Sequence, residues 1–181
     1  MRFTADASMF LFVQKGELQH IWQDAYINDI EGSFDAMRTY LPTNVSRILD
    51  IGGGMSGISV PLCRAYPGAV VTIMDGSDDA PRMLRQDKTF SSRAAAREFL
   101  AANNTPCDFE VKGKYDLVLS LRAWCFHIPI DDYLQTVMTH TYNTSRLIVD
   151  VRVGTPPPFK VLAVVSENSK CQRLAMSATR K

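Results

Sequence analysis

Residues 50–57 read Asp-Ile-Gly-Gly-Gly-Met-Ser-Gly, and this short stretch decides the fold. The apolar run 45–51 predicts a strand that enters the stretch, and residues 56–66 predict a helix that leaves it. Pro67 and Gly68 end that helix. Because glycine tolerates the backbone angles of a tight turn, the stretch predicts a strand, a glycine turn and a helix in succession.

The rest of the chain alternates between predicted strands and helices. Further strands are predicted at 69–74, 107–111, 115–121 and 145–151. Helices are predicted at 8–41, from Pro81, at 92–102, and from an Asp131 cap to about residue 141. Two apolar runs, 162–165 and 171–176, flank a polar turn and predict a hairpin. The pattern predicts an α/β fold, a three-layer sandwich whose mostly parallel sheet ends in an antiparallel C-terminal hairpin.

Length and composition indicate one globular domain. The chain has 181 residues, of which 46% are hydrophobic and 22% charged, which excludes disorder over the whole length. We expect a single domain over residues 1–181, in which a helical segment at 1–44 forms a lid over a core at 45–181. The net charge of +1 gives no reason to expect a nucleic-acid partner.

The cysteines and apolar runs indicate a cytoplasmic protein. Cys63, Cys107, Cys125 and Cys171 include no close pair of the kind that a structural zinc or a redox dithiol requires, so no metal site is predicted. The apolar run 9–13 is too short for a signal peptide. No segment approaches the roughly 20 apolar residues of a membrane span.

The glycines alone allow two kinds of cofactor. Gly52, Gly54 and Gly57 satisfy the dinucleotide pattern G-x-G-x-x-G, and Asp75 follows the next strand, where an acid binds ribose hydroxyls. An NAD(P)-dependent oxidoreductase is therefore one hypothesis. However, Asp50 stands at the mouth of the turn, and two like charges about 4 Å apart repel by roughly 4 kcal/mol near a protein surface. Asp50 disfavours a pyrophosphate there and suits a cationic ligand.

The ordered series of motifs resembles the class I S-adenosylmethionine-dependent methyltransferases. Residues 47–57 resemble the family's first motif, Asp75 its ribose-binding acid and residues 114–120 its fourth strand. The resemblance implies a Rossmann-like fold, S-adenosyl-L-methionine as cofactor and S-adenosyl-L-homocysteine as product. It also implies that the methionine part of the cofactor is lined by Asp50, Gly52, Gly53 and Gly54, while Gly57 allows close packing of the helix. The ribose would be bound by Asp75, and the adenine would be bordered by Gly76, Ser77 and Asp108. Ser120 would complete the cofactor site.

The segment after the fourth strand supplies candidates for catalysis. His127 is predicted as a general base, because histidine side chains titrate near pH ~6.5. Arg122 is predicted to pair with an acidic acceptor, and Trp124 with Phe126 to shape an apolar slot. Loop anchoring is the alternative interpretation of these aromatic residues. From the N-terminal helical segment, Trp22 and Tyr26 are predicted to contact substrate.

The acceptor is predicted to be a small molecule with an oxygen acceptor atom. Amino-methylating members of the family are expected to carry an Asn or Asp followed by Pro-Pro and an aromatic residue after the fourth strand, and residues 120–129 have no such series. The basic residues at 82–97 are interleaved with acids, which favours a solvated helix face over a nucleic-acid surface. A cofactor-binding protein without transferase activity is the other alternative. Nothing in the sequence determines the oligomeric state.

Overall fold

The computed structural model describes residues 19–75 and 93–179, and helix α1 begins at the first of them. A short 3-10 turn, Arg38–Tyr40, follows α1. The helices are α1 (Gln19–Met37), α2 (Ser59–Ala65), α3 (Arg93–Ala102) and α4 (Ile130–Thr139). The strands are β1 (Arg47–Ile51), β2 (Val70–Met74), β3 (Cys107–Asp108), β4 (Tyr115–Ser120), β5 (Thr141–Arg152), β6 (Lys160–Glu167) and β7 (Cys171–Ser177).

The strands form one seven-stranded sheet in the order β3-β2-β1-β4-β5-β7-β6. The pairs formed by the first five strands are all parallel, whereas β7 runs antiparallel to both β5 and β6. The predicted three-layer, Rossmann-like α/β architecture with its C-terminal hairpin is therefore confirmed. The chain order reverses between β1 and β4, and ligands of open α/β sheets bind beyond the carboxyl ends of the strands at such a switch point.

Two apolar clusters cover the two faces of the sheet. Successive side chains of a strand point to opposite faces, so Ile48 of β1 joins one cluster and Leu49 joins the other. The first cluster packs under α1, α2 and α3, and the second packs under α4 and around Phe159. No helix among the described residues combines the length and apolar character that crossing a membrane requires.

Some boundaries differ from the predictions for local reasons. Helix α2 begins at Ser59 and not at Ser56, because Ser56 has the left-handed φ of 53°. Asp131 lies inside the first turn of α4, whose N-cap is Pro129 without a side-chain cap bond, so the predicted Asp131 cap is wrong. The predicted helix from Pro81 and the part of the predicted 8–41 helix before residue 19 lie outside the described residues.

The connection from β5 to β6 contains no helix, since residues 153–159 form only turns and irregular backbone. The strand order places β6 at one edge of the sheet, and this strand carries two exposed apolar side chains, Leu162 and Val164. Two register shifts interrupt its pairing with β7. Such irregularities protect an edge strand from pairing with other chains.

Candidate functional site

The glycine turn leaves β1 in a backbone path that larger residues would not follow. Gly52 and Gly54 have φ values of +68° and +56°, in the left-handed region. A Cβ on Gly52 would collide with Cβ of Ala123, and one on Gly53 would lie 2.5 Å from Oδ2 of Asp50. The glycines therefore let the chain pass between the loop after β4 and a buried carboxylate.

Asp50 lies beneath this turn and is only 1% exposed. Its Oδ2 accepts a hydrogen bond of 2.6 Å from Oγ of Ser56, which also lies 2.6 Å from Oγ of Ser59. Burial raises the pKa of Asp50 to about 6; the bond from Ser56 opposes this rise, and the charge of Asp75 adds to it. A buried carboxylate with a raised pKa is stabilised in its charged form by a cation beside it.

Asp75 reaches the same turn from the end of β2. Its Oδ2 accepts the backbone N–H of Gly54 at 2.8 Å. A carboxylate offers about four acceptor positions, so the Asp75 side chain can accept from more than one donor. The structure thus brings the two predicted acids, Asp50 and Asp75, to one glycine turn.

Tyr26 attaches helix α1 to the turn. Its hydroxyl accepts the backbone N–H of Gly57 at 2.9 Å, and a Cβ on Gly57 would collide with that hydroxyl. Burial raises the pKa of Tyr26 above its usual value, and Asp50 and Asp29 add to the rise, while the Gly57 bond opposes it. The absence of a side chain on Gly57 therefore leaves room for a tyrosine of α1, and the packing role that the resemblance implies for Gly57 stays a prediction.

A cavity of about 190 Å³ opens at the turn, and we call it the glycine-turn cavity. Asp50, Gly52, Gly53 and Gly57 line one side of it. The lining also includes Tyr26, Asp29 and Ser33 of α1, Arg122 after β4, and Arg173 of β7. The cavity lies at the switch point between β1 and β4, where the fold is expected to bind a ligand.

A larger cavity of about 490 Å³ adjoins it, and we call it the hairpin cavity because the β6–β7 hairpin forms one wall. Asp29, Ser33, Arg122 and Arg173 line both cavities. Phe126 and Lys170 line the hairpin cavity alone. The two cavities therefore meet across shared side chains.

Solved structures with this architecture exist for several methyltransferases. The chain aligns with the magnesium protoporphyrin IX methyltransferase from Synechocystis PCC 6803 with bound SAM at 17% identity and a TM-score of 0.55, covering 96% of this chain and 88% of that one. It aligns with a ribosomal protein L11 methylase from Lactobacillus delbrueckii subsp. bulgaricus at 14% identity and a TM-score of 0.56, covering 86% and 80%.

The match to mitomycin 7-O-methyltransferase has 17% identity and a TM-score of 0.46, and this chain covers 41% of that protein. No protein-family model and no curated protein matches the sequence. The first two matches cover 96% and 86% of this chain with TM-scores above 0.5. The fold is that of the class I S-adenosylmethionine-dependent methyltransferases.

In this methyltransferase fold, the loop after β4 is held by Ser120. Its buried hydroxyl donates to the carbonyl of Ile51 at 2.9 Å and accepts the backbone N–H of Trp124 at 2.8 Å. Ser120 therefore ties the loop to the end of β1 and lines neither cavity. Its predicted contact with the cofactor stays a prediction.

Trp124 lies in the core and not in a substrate slot. Its ring is fully buried, its Nε1 donates to the carbonyl of Ile130 at 2.8 Å, and it packs edge-on against Phe159. The alternative interpretation, loop anchoring, is the one that this position supports. Phe126 does line the hairpin cavity, beside Arg122.

His127 is exposed and lines neither cavity. Its backbone N–H closes a turn onto the carbonyl of Ala123, and its ring packs edge-on against Phe126. The loop thus places Arg122 and Phe126 at the cavities and His127 beside them. The role of His127 as a base stays a prediction.

Arg122 is positioned by two acids that sequence reasoning missed. Its backbone has a φ of 58°, and its N–H donates to Oδ2 of Asp150 at 3.1 Å. Its guanidinium forms an ion pair with Asp29 of α1 at 2.6 Å. Asp150 in turn binds Arg173 through two bonds of 2.7 and 3.0 Å, and both side chains are buried.

Asp108 lies away from the glycine turn. It stands opposite Thr72 in the middle of β2, and its Oδ1 accepts the backbone N–H groups of Phe109 and Glu110. These bonds lower its pKa, and so do the charges of Lys112 and of Arg47, which begins β1 at the end remote from the turn. The predicted contact with adenine therefore has no support in this placement.

Three further predicted residues remain outside this description. Gly76 and Ser77 lie outside the described residues, and the side chain of Trp22 is not described. Tyr133 of α4 was not predicted as a site residue. Burial raises its pKa, and the charge of the nearby Asp75 adds to the rise.

Proposed function

We propose that this chain binds S-adenosylmethionine and transfers its methyl group to a small molecule with an oxygen acceptor atom. The observation that carries the proposal is the buried Asp50 carboxylate beneath the glycine turn. It lines a cavity at the switch point of the sheet, where a pyrophosphate would meet a like charge. The amino group and sulfonium of S-adenosylmethionine are cationic and would favour the ionised form of Asp50.

The chain offers a distinct group for each part of this cofactor. Asp50 and the glycine turn would face the methionine part, and Asp75 would accept hydrogen bonds from the ribose diol. Tyr26 and Asp29 would close the cavity from α1. When bound, the cofactor supplies an electrophilic methyl group, so the protein must align the acceptor and exclude water.

The hairpin cavity supports a small-molecule acceptor. Its volume of about 490 Å³ lies within the roughly 300–1,000 Å³ typical of small-molecule pockets. It meets the glycine-turn cavity at Arg122 and Ser33, so an acceptor inside it would lie next to the methionine end of the cofactor. The magnesium protoporphyrin IX methyltransferase is named for a small-molecule substrate, which favours the same class here.

Calorimetric titration with S-adenosylhomocysteine and with NAD⁺ tests the cofactor. We expect binding of S-adenosylhomocysteine alone. Asp75→Ala should weaken this binding by roughly 1.5–3 kcal/mol through lost charge-assisted hydrogen bonds. Asp35→Ala is the matched control, because Asp35 is exposed on α1 and lines neither cavity.

Binding of NAD⁺ alone would contradict the proposal and favour the oxidoreductase hypothesis. A tritiated-methyl assay with fractionated small molecules tests transfer. Affinity for the cofactor with no transfer to any fraction would favour a cofactor-binding protein without transferase activity. Equal affinity in Asp75→Ala and wild type would exclude the ribose role of Asp75.

A further inference from the structure

The hairpin cavity carries more positive than negative groups. Arg122, Lys170 and Arg173 line it together with Asp29 and Asp150. Asp150 is 1% exposed, and it accepts two hydrogen bonds from Arg173 and one from the backbone of Arg122. Its charge is therefore already matched inside the protein.

Arg173 forms the floor shared by the two cavities. Its side chain is 9% exposed, and Nε and Nη2 donate to Asp150. Among the described residues, its other terminal nitrogen, Nη1, has no hydrogen-bond partner. A guanidinium has five N–H donors in a fixed fork, so this end can donate to a ligand.

Arg122 is held in place through its backbone, while its guanidinium remains exchangeable. Asp150 fixes the left-handed backbone at this residue. The ion pair with Asp29 joins side chains that are 58% and 44% exposed. Exposed ion pairs contribute little to stability, so an anionic ligand can displace Asp29 from Arg122 at small cost.

Lys170 supplies the third cation. It is exposed at the turn between β6 and β7, and its ammonium has no carboxylate partner among residues 19–75 and 93–179. Asn168 accepts its backbone N–H at 2.9 Å and thereby shapes the turn that carries it. Lys170 lines the hairpin cavity and not the glycine-turn cavity.

We propose that the hairpin cavity selects a small-molecule acceptor that carries a carboxylate, bound between Arg122 and Lys170 above Arg173. This inference rests on the proposed function, because it assigns the acceptor to the cavity beside the cofactor. Phe126, on the same wall as Arg122, offers an aromatic contact to the body of such a molecule.

The competing explanation is that these cations bind the carboxylate of the cofactor itself. Backbone N–H groups of Gly52, Gly54 and Gly57 already donate to Met74, Asp75 and Tyr26, so these three groups are not available to a cofactor carboxylate. The position of Lys170 separates the two explanations, because Lys170 borders the hairpin cavity alone.

Benzoate and benzamide are matched probes, since they differ in charge and not in shape. Each is titrated by NMR into the full chain saturated with S-adenosylhomocysteine. We expect benzoate to bind about tenfold more tightly than benzamide. Arg122→Gln and Lys170→Met should each weaken benzoate by roughly fivefold, which corresponds to the upper range for an exposed ion pair.

Two control variants lie outside both cavities. Arg38→Gln and Lys160→Met remove an exposed cation of the same kind and should leave benzoate binding within about twofold of wild type. Lys170→Met should keep its affinity for S-adenosylhomocysteine within the same range. Raising the salt concentration should weaken benzoate and leave benzamide unchanged.

Each outcome supports or overturns the inference. Equal binding of both probes, no binding of benzoate, or an equal loss in the control variants would overturn it. A loss of S-adenosylhomocysteine affinity in Lys170→Met as large as the loss of benzoate affinity would assign the cations to the cofactor. If wild-type protein does not bind S-adenosylhomocysteine at all, the proposed function fails first, which distinguishes the two failures.

Discussion

The glycine-turn cavity takes one wall from residues 50–57, whereas the hairpin cavity takes its groups from elements far apart in the chain. The first wall follows a single strand, and Asp75 contacts the neighbouring Gly54 from the end of the next strand. The second combines α1, the loop after β4, the end of β5 and the β6–β7 hairpin. The two regions nevertheless share Arg122 and Arg173.

The two regions therefore differ in which of their positions can accept a substitution. The glycine turn is constrained at the backbone, because Cβ atoms on Gly52, Gly53 and Gly57 meet occupied space. The hairpin cavity is constrained mainly at Asp150 and Arg173, and its other charged groups are exposed. Side chains of the hairpin cavity can therefore vary without disturbing the fold, which suits a wall that selects acceptors.

The buried pair between Asp150 and Arg173 gives the largest expected effect. Asp150→Asn leaves the guanidinium of Arg173 buried without its counter-charge, so we expect the free energy of unfolding to fall by about 3–5 kcal/mol. Denaturant titration measures this change. The same acid-to-amide change at Asp29 breaks an exposed pair and should cost at most about 1 kcal/mol.

If Asp150→Asn lowers the free energy of unfolding no more than Asp29→Asn does, the buried ion pair does not stabilise the hairpin cavity. The contrast between the two regions would then be wrong. The double variant Asp150→Asn/Arg173→Gln removes both charges. It should recover part of the stability, because no unpaired ion remains buried.

Adding one methyl group to each region gives the next largest effect. Gly52→Ala combines a left-handed φ with a collision against Ala123, so it should cost about 2–4 kcal/mol of stability. Gly32→Ala in α1 meets open space in the wall of the hairpin cavity and should stabilise the helix by up to about 1 kcal/mol. Thermal unfolding should show a lower melting temperature for Gly52→Ala and a higher one for Gly32→Ala. A similar decrease in both variants would contradict this prediction.

The glycine turn is contiguous in sequence, so its strand, its turn and the helix that follows could be predicted from local patterns. A strand, three consecutive glycines and an acid at the end of the next strand are local patterns, and parallel pairing of β1 and β2 brings Asp50 and Asp75 to the same edge. The alternation of strands and helices likewise predicted a mostly parallel sheet, whereas the order of its strands is known only from the structure. Helix α2 begins later than predicted, because Ser56 has a left-handed backbone. A left-handed backbone at a non-glycine residue cannot be recognised from the residue type, so the sequence did not predict it.

The buried pair of the hairpin cavity was missed because its two side chains meet only through long-range strand pairing. Asp150 and Arg173 each interrupt an apolar strand run, which is a usable signal, but their contact depends on the register that places them opposite each other in β5 and β7. Trp124 shows the converse error. Its residue type suggested a substrate slot, and the turn after β4 directs its ring into the core.

The pH dependence of cofactor binding gives the smallest and most local effect, and it tests the glycine turn alone. Burial raises the pKa of Asp50 from 3.8 to about 6. Between these two pH values the folded protein without ligand keeps a proton on Asp50 that the unfolded chain has already released. The free energy of unfolding therefore falls as pH rises through this window. A bound cation reverses the preference, because it favours the ionised carboxylate.

Affinity for S-adenosylhomocysteine should consequently fall as pH drops below about 6, by up to about tenfold per pH unit. Titration in two buffers of different ionisation enthalpy should detect a proton released on binding. Asp50→Asn should flatten this dependence, whereas Ser56→Ala removes the bond that lowers the pKa and should move the dependence to higher pH. If the affinity of Asp50→Asn still depends on pH, another group titrates. The Asp50 carboxylate would then no longer distinguish the glycine turn from a dinucleotide site.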